Sequence, residues 1–252
     1  MMKENLVLNR LKNHEHVLGC IVQGNWPELV EMIGLAGFHF AFIDAEHYAF
    51  SMRDCENLVR AAEVRGICAF IRTPYSDPKT VLKYLDLGAA GIIYPDISSK
   101  EDAEAAVRYA KYPPQGIRGL SSTRSGDYGF LSKDIYLNKA NEETAVLAVI
   151  ESQEGLDNLE EIFSVEGIDA FLIGTSDLSM SLGVYGQPEH PKVIEAVEHI
   201  IKTGKKMGVH VGGYLRSGQS PQDYFNMDAD IVLAGINSLL KKALTDFVKS
   251  CQ

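Results

Sequence analysis

Eight times along this chain a short, continuous apolar run is followed by a stretch with helical spacing. The runs fall at residues 17–23, 38–46, 68–74, 90–96, 145–152, 170–177, 209–215 and 230–236. The helical stretches fall at 27–35, 51–65, 78–88, 99–112, 155–164, 191–206, 221–229 and 238–249. Runs without a polar alternation are what strands covered on both faces require, and a helix between consecutive strands makes them parallel. Eight such units in 252 residues predict an α/β protein, a (β/α)8 TIM barrel, as one domain over 1–252. A doubly wound open sheet is the competitor, but no GxGxxG follows the first strand; "GLAG" and "GTSDLSMSLG" do not fit that pattern. The stretch 113–143, rich in Gly, Ser and charge, exceeds an ordinary loop and reads as a functional segment rather than a domain boundary.

Composition removes several classes of function. An apolar fraction of 46% supports a core, yet no apolar stretch approaches the roughly 18 residues of a membrane helix. "MMKENLVLNRLKNHEHVLG" lacks the apolar segment and cleavage site of a secretory signal, so the expectation is a cytoplasmic protein with no membrane partner. A net charge of −10 argues against nucleic acid, and Lys205–Lys206 and Lys241–Lys242 read as solvated helix faces. Cys20, Cys55, Cys68 and Cys251 form no CxxC pair, which points to free thiols in a core rather than to zinc or disulfides.

In a barrel of this kind the active site forms where the strands end. Strand 2 closes in Asp44, Glu46 and His47, strand 3 in Arg72, strand 4 in Asp96, strand 5 in Glu151 and strand 6 in Asp177. Glu151 and Asp177 could each give an oxygen to a hard divalent cation, which often takes only one or two protein carboxylates. Arg72 offers a planar fork for a carboxylate or a developing oxyanion, and His47 a proton acceptor near neutral pH. Each has a bland alternative. Asp177 could cap a helix, Glu151 pair with a surface lysine, His47 sit in a loop, and Arg72 neutralise neighbouring acids. Four such residues closing four runs argue against all the bland readings holding at once. His14, His16, His190 and His199 read as surface residues, and His210 as lying at the opposite end of the barrel. Trp26 walls the mouth or joins the core. None of these strand ends carries the lysine that Schiff-base chemistry would need.

"FIDAEHYAF", "IRTPYSDPKTVLKYLDLGAAGIIYPDI", "YPPQGIRGL" and "VIESQEGLDNLEEIFSVEGIDAFLIGTSDLSMSLGVYGQPEHPKV" together resemble the motifs of the HpcH/HpaI aldolases. The similarity runs in unbroken order from about residue 17 to 200, and more weakly to the end. The resemblance implies a class II, metal-dependent pyruvate aldolase on a modified barrel. Such an enzyme cleaves a 4-hydroxy-2-oxo acid reversibly to pyruvate and an aldehyde, through a metal-chelated pyruvate enolate. It implies Mg2+, Mn2+ or Co2+ on Glu151 and Asp177, and Arg72 on the keto oxygen. It gives His47 the aldol-hydroxyl proton, with Asp86 of "YLDLGA" paired to it. Backbone amides around Ser176 and Asp177 would bind the pyruvate carboxylate. It also implies a hexamer with the last helix exchanged between subunits.

The chain departs from the family pattern at Ala45, Val149, Thr175, Asn237 and Ser238, none of them an implied ligand. Val149, where many members carry Gln, removes a polar group beside the implied metal and so puts substrate preference in question. Two rivals stay open: related enolate chemistry in the same site, as in a coenzyme A thioester lyase or an oxo-acid decarboxylase, and a non-catalytic binding protein on the same fold.

Overall fold

The structure, a computed structural model, describes residues 4–215 and 219–251. Eight parallel strands close a barrel in sequence order: β1 (Val17–Val22), β2 (Phe40–Asp44), β3 (Cys68–Arg72), β4 (Gly91–Tyr94), β5 (Ala145–Ile150), β6 (Ala170–Ile173), β7 (Val211–Tyr214) and β8 (Ile231–Gly235). The helices are α1 (Leu6–Lys12), α2 (Pro27–Leu35), α3 (Met52–Arg65), α4 (Pro78–Asp86), α5 (Lys100–Ala110), α6 (Lys133–Glu143), α7 (Gln153–Asp157), α8 (Leu159–Phe163), α9 (Thr175–Ser181), α10 (Pro191–Met207), α11 (Pro221–Phe225) and α12 (Ile236–Ser250). The expected barrel is therefore the observed one. No helix among the described residues is long and apolar enough to cross a membrane.

Local chemistry sets many of the boundaries. Ser51 and Ser99 each close a capping box, with Asp54 and Asp102, so α3 and α5 start where a serine side chain takes up the free N–H groups. Gly66 stops α3 at φ 71°, a left-handed turn that glycine enters without strain.

Strand alternation then divides the apolar residues into two cores. Ala41, Ile43, Ala69, Ile71, Val146 and Ala148 face outward and pack under the helices. Phe40, Phe42, Phe70, Ile93, Leu147, Leu172 and Leu233 fill the barrel interior. Interior side chains recur every second residue. The next interior positions toward the mouth are Asp44, Arg72, Glu151 and Tyr214, so the period that builds the core also delivers the polar groups.

Several expectations change. Helix α1 precedes the first strand, and its Val7, Leu8 and Leu11 join Val17, Phe40 and Phe70 to plug the end opposite the mouth. The helix expected over 155–164 breaks at Asn158 into α7 and α8. The 113–143 stretch contains α6 and a short turn of 3-10 helix, Arg124–Gly129. Helix α5 ends, and β5 begins, at the end away from the mouth. The stretch therefore stays there, and Tyr112, Tyr136 and Ala140 give it a small core of its own. Trp26 is exposed at the start of α2, outside the core and outside the lining of the mouth cavity. His210 lies at the opposite end, as expected, with Nδ1 3.2 Å from Asp230 Oδ1. Cys20, Cys55 and Cys68 are buried free thiols, whereas Cys251 is exposed.

Candidate active site

Asp44 and Arg72 end neighbouring strands and are register partners. Both point inward, so their side chains meet. Arg72 Nε donates to Asp44 Oδ1 at 2.9 Å and Nη2 to Oδ2 at 2.7 Å, a fork-to-fork pair buried on both sides. The guanidinium carbon lies 5.4 Å from the Phe42 ring centre, which supports it from below. Burial alone would lower the pKa of Arg72, but the Asp44 hydrogen bonds hold it above its ordinary value. A guanidinium has five N–H donors, and two serve Asp44, so the others are left for a ligand.

The DAEH turn follows directly. Asp44 Oδ1 also accepts the backbone N–H of His47 at 3.3 Å. That bond folds the chain back and leaves His47 exposed at the rim, its Nε2 3.8 Å from Glu46 Oε2. Glu46 Oε2 also lies 3.1 Å from Arg72 Nε, but that single N–H is directed at Asp44, so the oxygen is buried without a hydrogen bond among the described residues. Burial raises the Glu46 pKa, against the opposing pull of Arg72.

Across the mouth, Glu151 follows β5 and is buried. Its Oε1 accepts the backbone N–H of Asp96 at 2.9 Å. Asp96 adopts φ 53°, a left-handed conformation that a non-glycine residue takes up only under constraint. Burial pushes the Glu151 carboxyl up to about 7, and the charges of Asp96 and Asp177 add to the effect. A β-carbon at position 174 would run into Glu151 Oε2 and lie 2.7 Å from Glu151 Cβ, so Gly174 makes the cradle for this carboxylate. Asp177 does not end a strand: β6 stops at Ile173, and Thr175, Ser176 and Asp177 open α9. The first N–H groups of a helix have no partner within it.

A cavity of about 520 Å³ joins these pieces, lined among others by Asp44, His47, Arg72, Glu151, Ser176 and Asp177. Asp96 is exposed and absent from that lining; it reaches Glu151 through its backbone N–H and through its charge. Asp86 is elsewhere. It ends α4, which runs back from the mouth to the far end of the barrel, where Arg118 Nη2 donates to its Oδ1 at 3.1 Å. Burial raises the Asp86 carboxyl pKa, opposed by Arg118. One chain therefore does not bring Asp86 to His47.

The model of the HpcH/HpaI aldolase/citrate lyase family matches residues 18–240. The chain belongs to that family. A 5-keto-4-deoxy-D-glucarate aldolase of Klebsiella pneumoniae is 32% identical over 225 residues, covering 89% of this chain and 88% of the relative. The crystal structure of an HpcH/HpaI aldolase/citrate lyase family protein from Burkholderia cenocepacia J2315 superposes with a TM-score of 0.92 at 29% identity, covering 98% of this chain and 99% of that one. An HpcH/HpaI aldolase from Desulfitobacterium hafniense DCB-2 gives 0.89 at 29%, covering 96% and 95%. The HpcH/HpaI chain described here is accordingly a carbon–carbon lyase. Sequence reasoning placed Asp44 at the end of strand 2 without giving it a partner, and it missed Gly174 and Tyr214. Strand alternation carries a signal for Asp44 and Tyr214, because both stand at interior positions. Nothing in the sequence announces the Gly174 contact, which arises between different strands.

Proposed function

We propose that this protein cleaves a 4-hydroxy-2-oxo acid reversibly to pyruvate and an aldehyde, with a divalent cation on Glu151 and Asp177. The observation that carries the reading is the buried Glu151 carboxylate. It faces like charge from Asp96 and Asp177 and, among the described residues, has one hydrogen bond, from the Asp96 N–H. Such a group calls for a cation. Two carboxylates suit Mg2+, Mn2+ or Co2+ with positions open to water and substrate, and no cluster of three or more His, Cys, Asp or Glu among the described residues forms an all-protein cage. When bound, the cation supplies Lewis-acid stabilisation of charge on the oxo-acid oxygens.

The chain's own residues do the rest. Arg72, locked by Asp44, directs its remaining N–H groups at the keto oxygen, where negative charge builds as the carbon–carbon bond breaks. His47 at the rim takes the proton of the 4-hydroxyl in cleavage and returns it in condensation. The opening amides of α9, at Ser176 and Asp177, hold the substrate carboxylate. The relatives named 5-keto-4-deoxy-D-glucarate aldolase support a polyhydroxylated oxo acid as substrate.

Assembly belongs to the same reading. If Asp86 orients His47, it does so from a neighbouring subunit, because α4 carries it to the far end of its own barrel. A hexamer that exchanges α12 is supported by that helix's exposed Leu239, Leu244, Phe247 and Val248.

The test is a panel of 4-hydroxy-2-oxo acids, including 5-keto-4-deoxy-D-glucarate, assayed with Mg2+, Mn2+ or Co2+ and again after chelation. Release of pyruvate and the matching aldehyde, lost with chelator and restored by metal, is expected. Full turnover in excess chelator, with a borohydride-trappable pyruvate adduct, overturns the reading.

A further inference from the structure

Tyr214 ends β7 at an interior position, one step above Gly212, and lines the mouth cavity with Arg72, Glu151 and Asp177. Its phenolic oxygen is buried and has no hydrogen-bond partner among the described residues. Three of its neighbours at the mouth are held: Arg72 by Asp44, Glu151 by the Asp96 amide, and Gln23 Nε2 by the Tyr48 hydroxyl at 2.6 Å, while Glu46 Oε2 lies 3.1 Å from the Arg72 guanidinium. The residue itself is fixed. Its carbonyl accepts the Tyr224 hydroxyl at 2.9 Å, its backbone pairs with Leu233, and its ring tilts against Phe42 with centres 6.2 Å apart. A phenylalanine would fill the same volume without burying an unpaired hydroxyl, which lowers stability unless a ligand completes it.

We infer that Tyr214 is a further substrate-recognising residue, whose hydroxyl donates a hydrogen bond to an oxygen of the bound oxo acid. This rests on the proposed function for the identity of the ligand, and on the orphaned hydroxyl for the role. The charged groups facing the phenol are Arg72, Glu151, Asp44 and Glu46. Burial holds its pKa above the ordinary tyrosine value, against the pull of Arg72, so it stays protonated and acts as a donor. The hydroxyl thereby selects ligands that carry an oxygen between Arg72 and Glu151 over equally bulky apolar ones.

The experiment is Y214F, an exchange that removes one oxygen. Three quantities are read on the metal-loaded enzyme: melting temperature, binding of oxalate as a planar mimic of an enolised oxo acid, and kcat and KM for cleavage. The melting temperature should stay equal or rise. Oxalate affinity and kcat/KM should each fall about 10- to 100-fold, the usual effect of losing a hydrogen bond to a charged ligand, with Mn2+ affinity unchanged. Oxalate affinity and kcat/KM both within twofold of wild type overturn the inference. So does a fall in melting temperature with a parallel loss of Mn2+, which would assign the hydroxyl to holding the site together. If wild type binds oxalate in a Tyr214-dependent way yet releases pyruvate from no oxo acid, the recognition stands and the aldolase reading falls. If wild type neither binds oxalate nor releases pyruvate, both are overturned.

Discussion

Asp44 and Arg72 are register partners on β2 and β3, and their side chains close a two-pronged ion pair that is 3% and 8% exposed. Arg72 is thus part of a buried pair that holds it still, as well as a cation at the barrel mouth. Removing one member of such a pair leaves an uncompensated charge and typically costs about 3–5 kcal/mol. D44A should lose stability on that scale in urea unfolding, and turnover with it. Replacing both residues, as in D44L/R72M, should recover most of the stability and none of the activity. A double variant as unstable as D44A would show that the pair is not coupled in this way.

His47 and Arg72 should separate kinetically. H47A should impair carbon–carbon cleavage by about 10²–10⁴-fold while sparing exchange of pyruvate methyl protons with solvent, because only cleavage needs the hydroxyl proton moved. R72K should lose roughly two to three decades in both, since an ammonium does not match the guanidinium fork. Proton transfer followed by NMR in deuterated buffer, beside a pyruvate-release assay, distinguishes the two. Equal loss of both activities in H47A would make the histidine an organiser of the site instead.

Gly174 should tolerate no side chain. G174A sets a methyl group against the Glu151 carboxylate and its Cβ. The expected result is a folded protein whose Mn2+ affinity, read by calorimetry, falls at least about tenfold, roughly 1.4 kcal/mol. Unchanged affinity would detach Glu151 from metal binding.

Glu151 also makes a pH prediction for the metal-free protein. Its folded-state pKa is raised from 4.5 to about 7, so between these values the folded state binds more protons than the unfolded one. Stability must then fall as pH rises through that window, by roughly 3 kcal/mol in total from this group. E151Q should remove that slope in chelator-treated samples. Metal binding to the wild type below pH 7 should release about one proton, seen as a buffer-dependent heat. A slope that persists in E151Q would place the titrating group elsewhere.

Helix α12 buries only Ile236 against its own barrel. Truncation after Asn237 should dissociate the proposed hexamer in analytical ultracentrifugation. A full-length chain that sediments as a monomer at micromolar concentration would contradict subunit exchange.

The alternation of apolar runs and helical stretches by itself determined the barrel, because that period follows from covering both faces of a parallel sheet. It also put Arg72, Glu151 and the DAEH turn at the mouth, since a strand that ends in polar side chains must end at water or a ligand. Period alone does not say which residue of one strand stands beside which residue of the next. That is set by register and closure, so only the tertiary structure turned Asp44 into the clamp on Arg72 and Gly174 into the cradle of Glu151. Asp177 read as a strand end, yet it opens α9, because β6 stops four residues earlier and the chain begins a helix there. Asp86 carried an implied pairing with His47, but α4 runs antiparallel to the strands and delivers it to the opposite end. Tyr214 falls inside the apolar run 209–215, where nothing in the sequence distinguishes it from a core aromatic. Its ring packs as such a residue should, and only the closed barrel, by surrounding the ring while giving the hydroxyl no partner among the described residues, sets it apart.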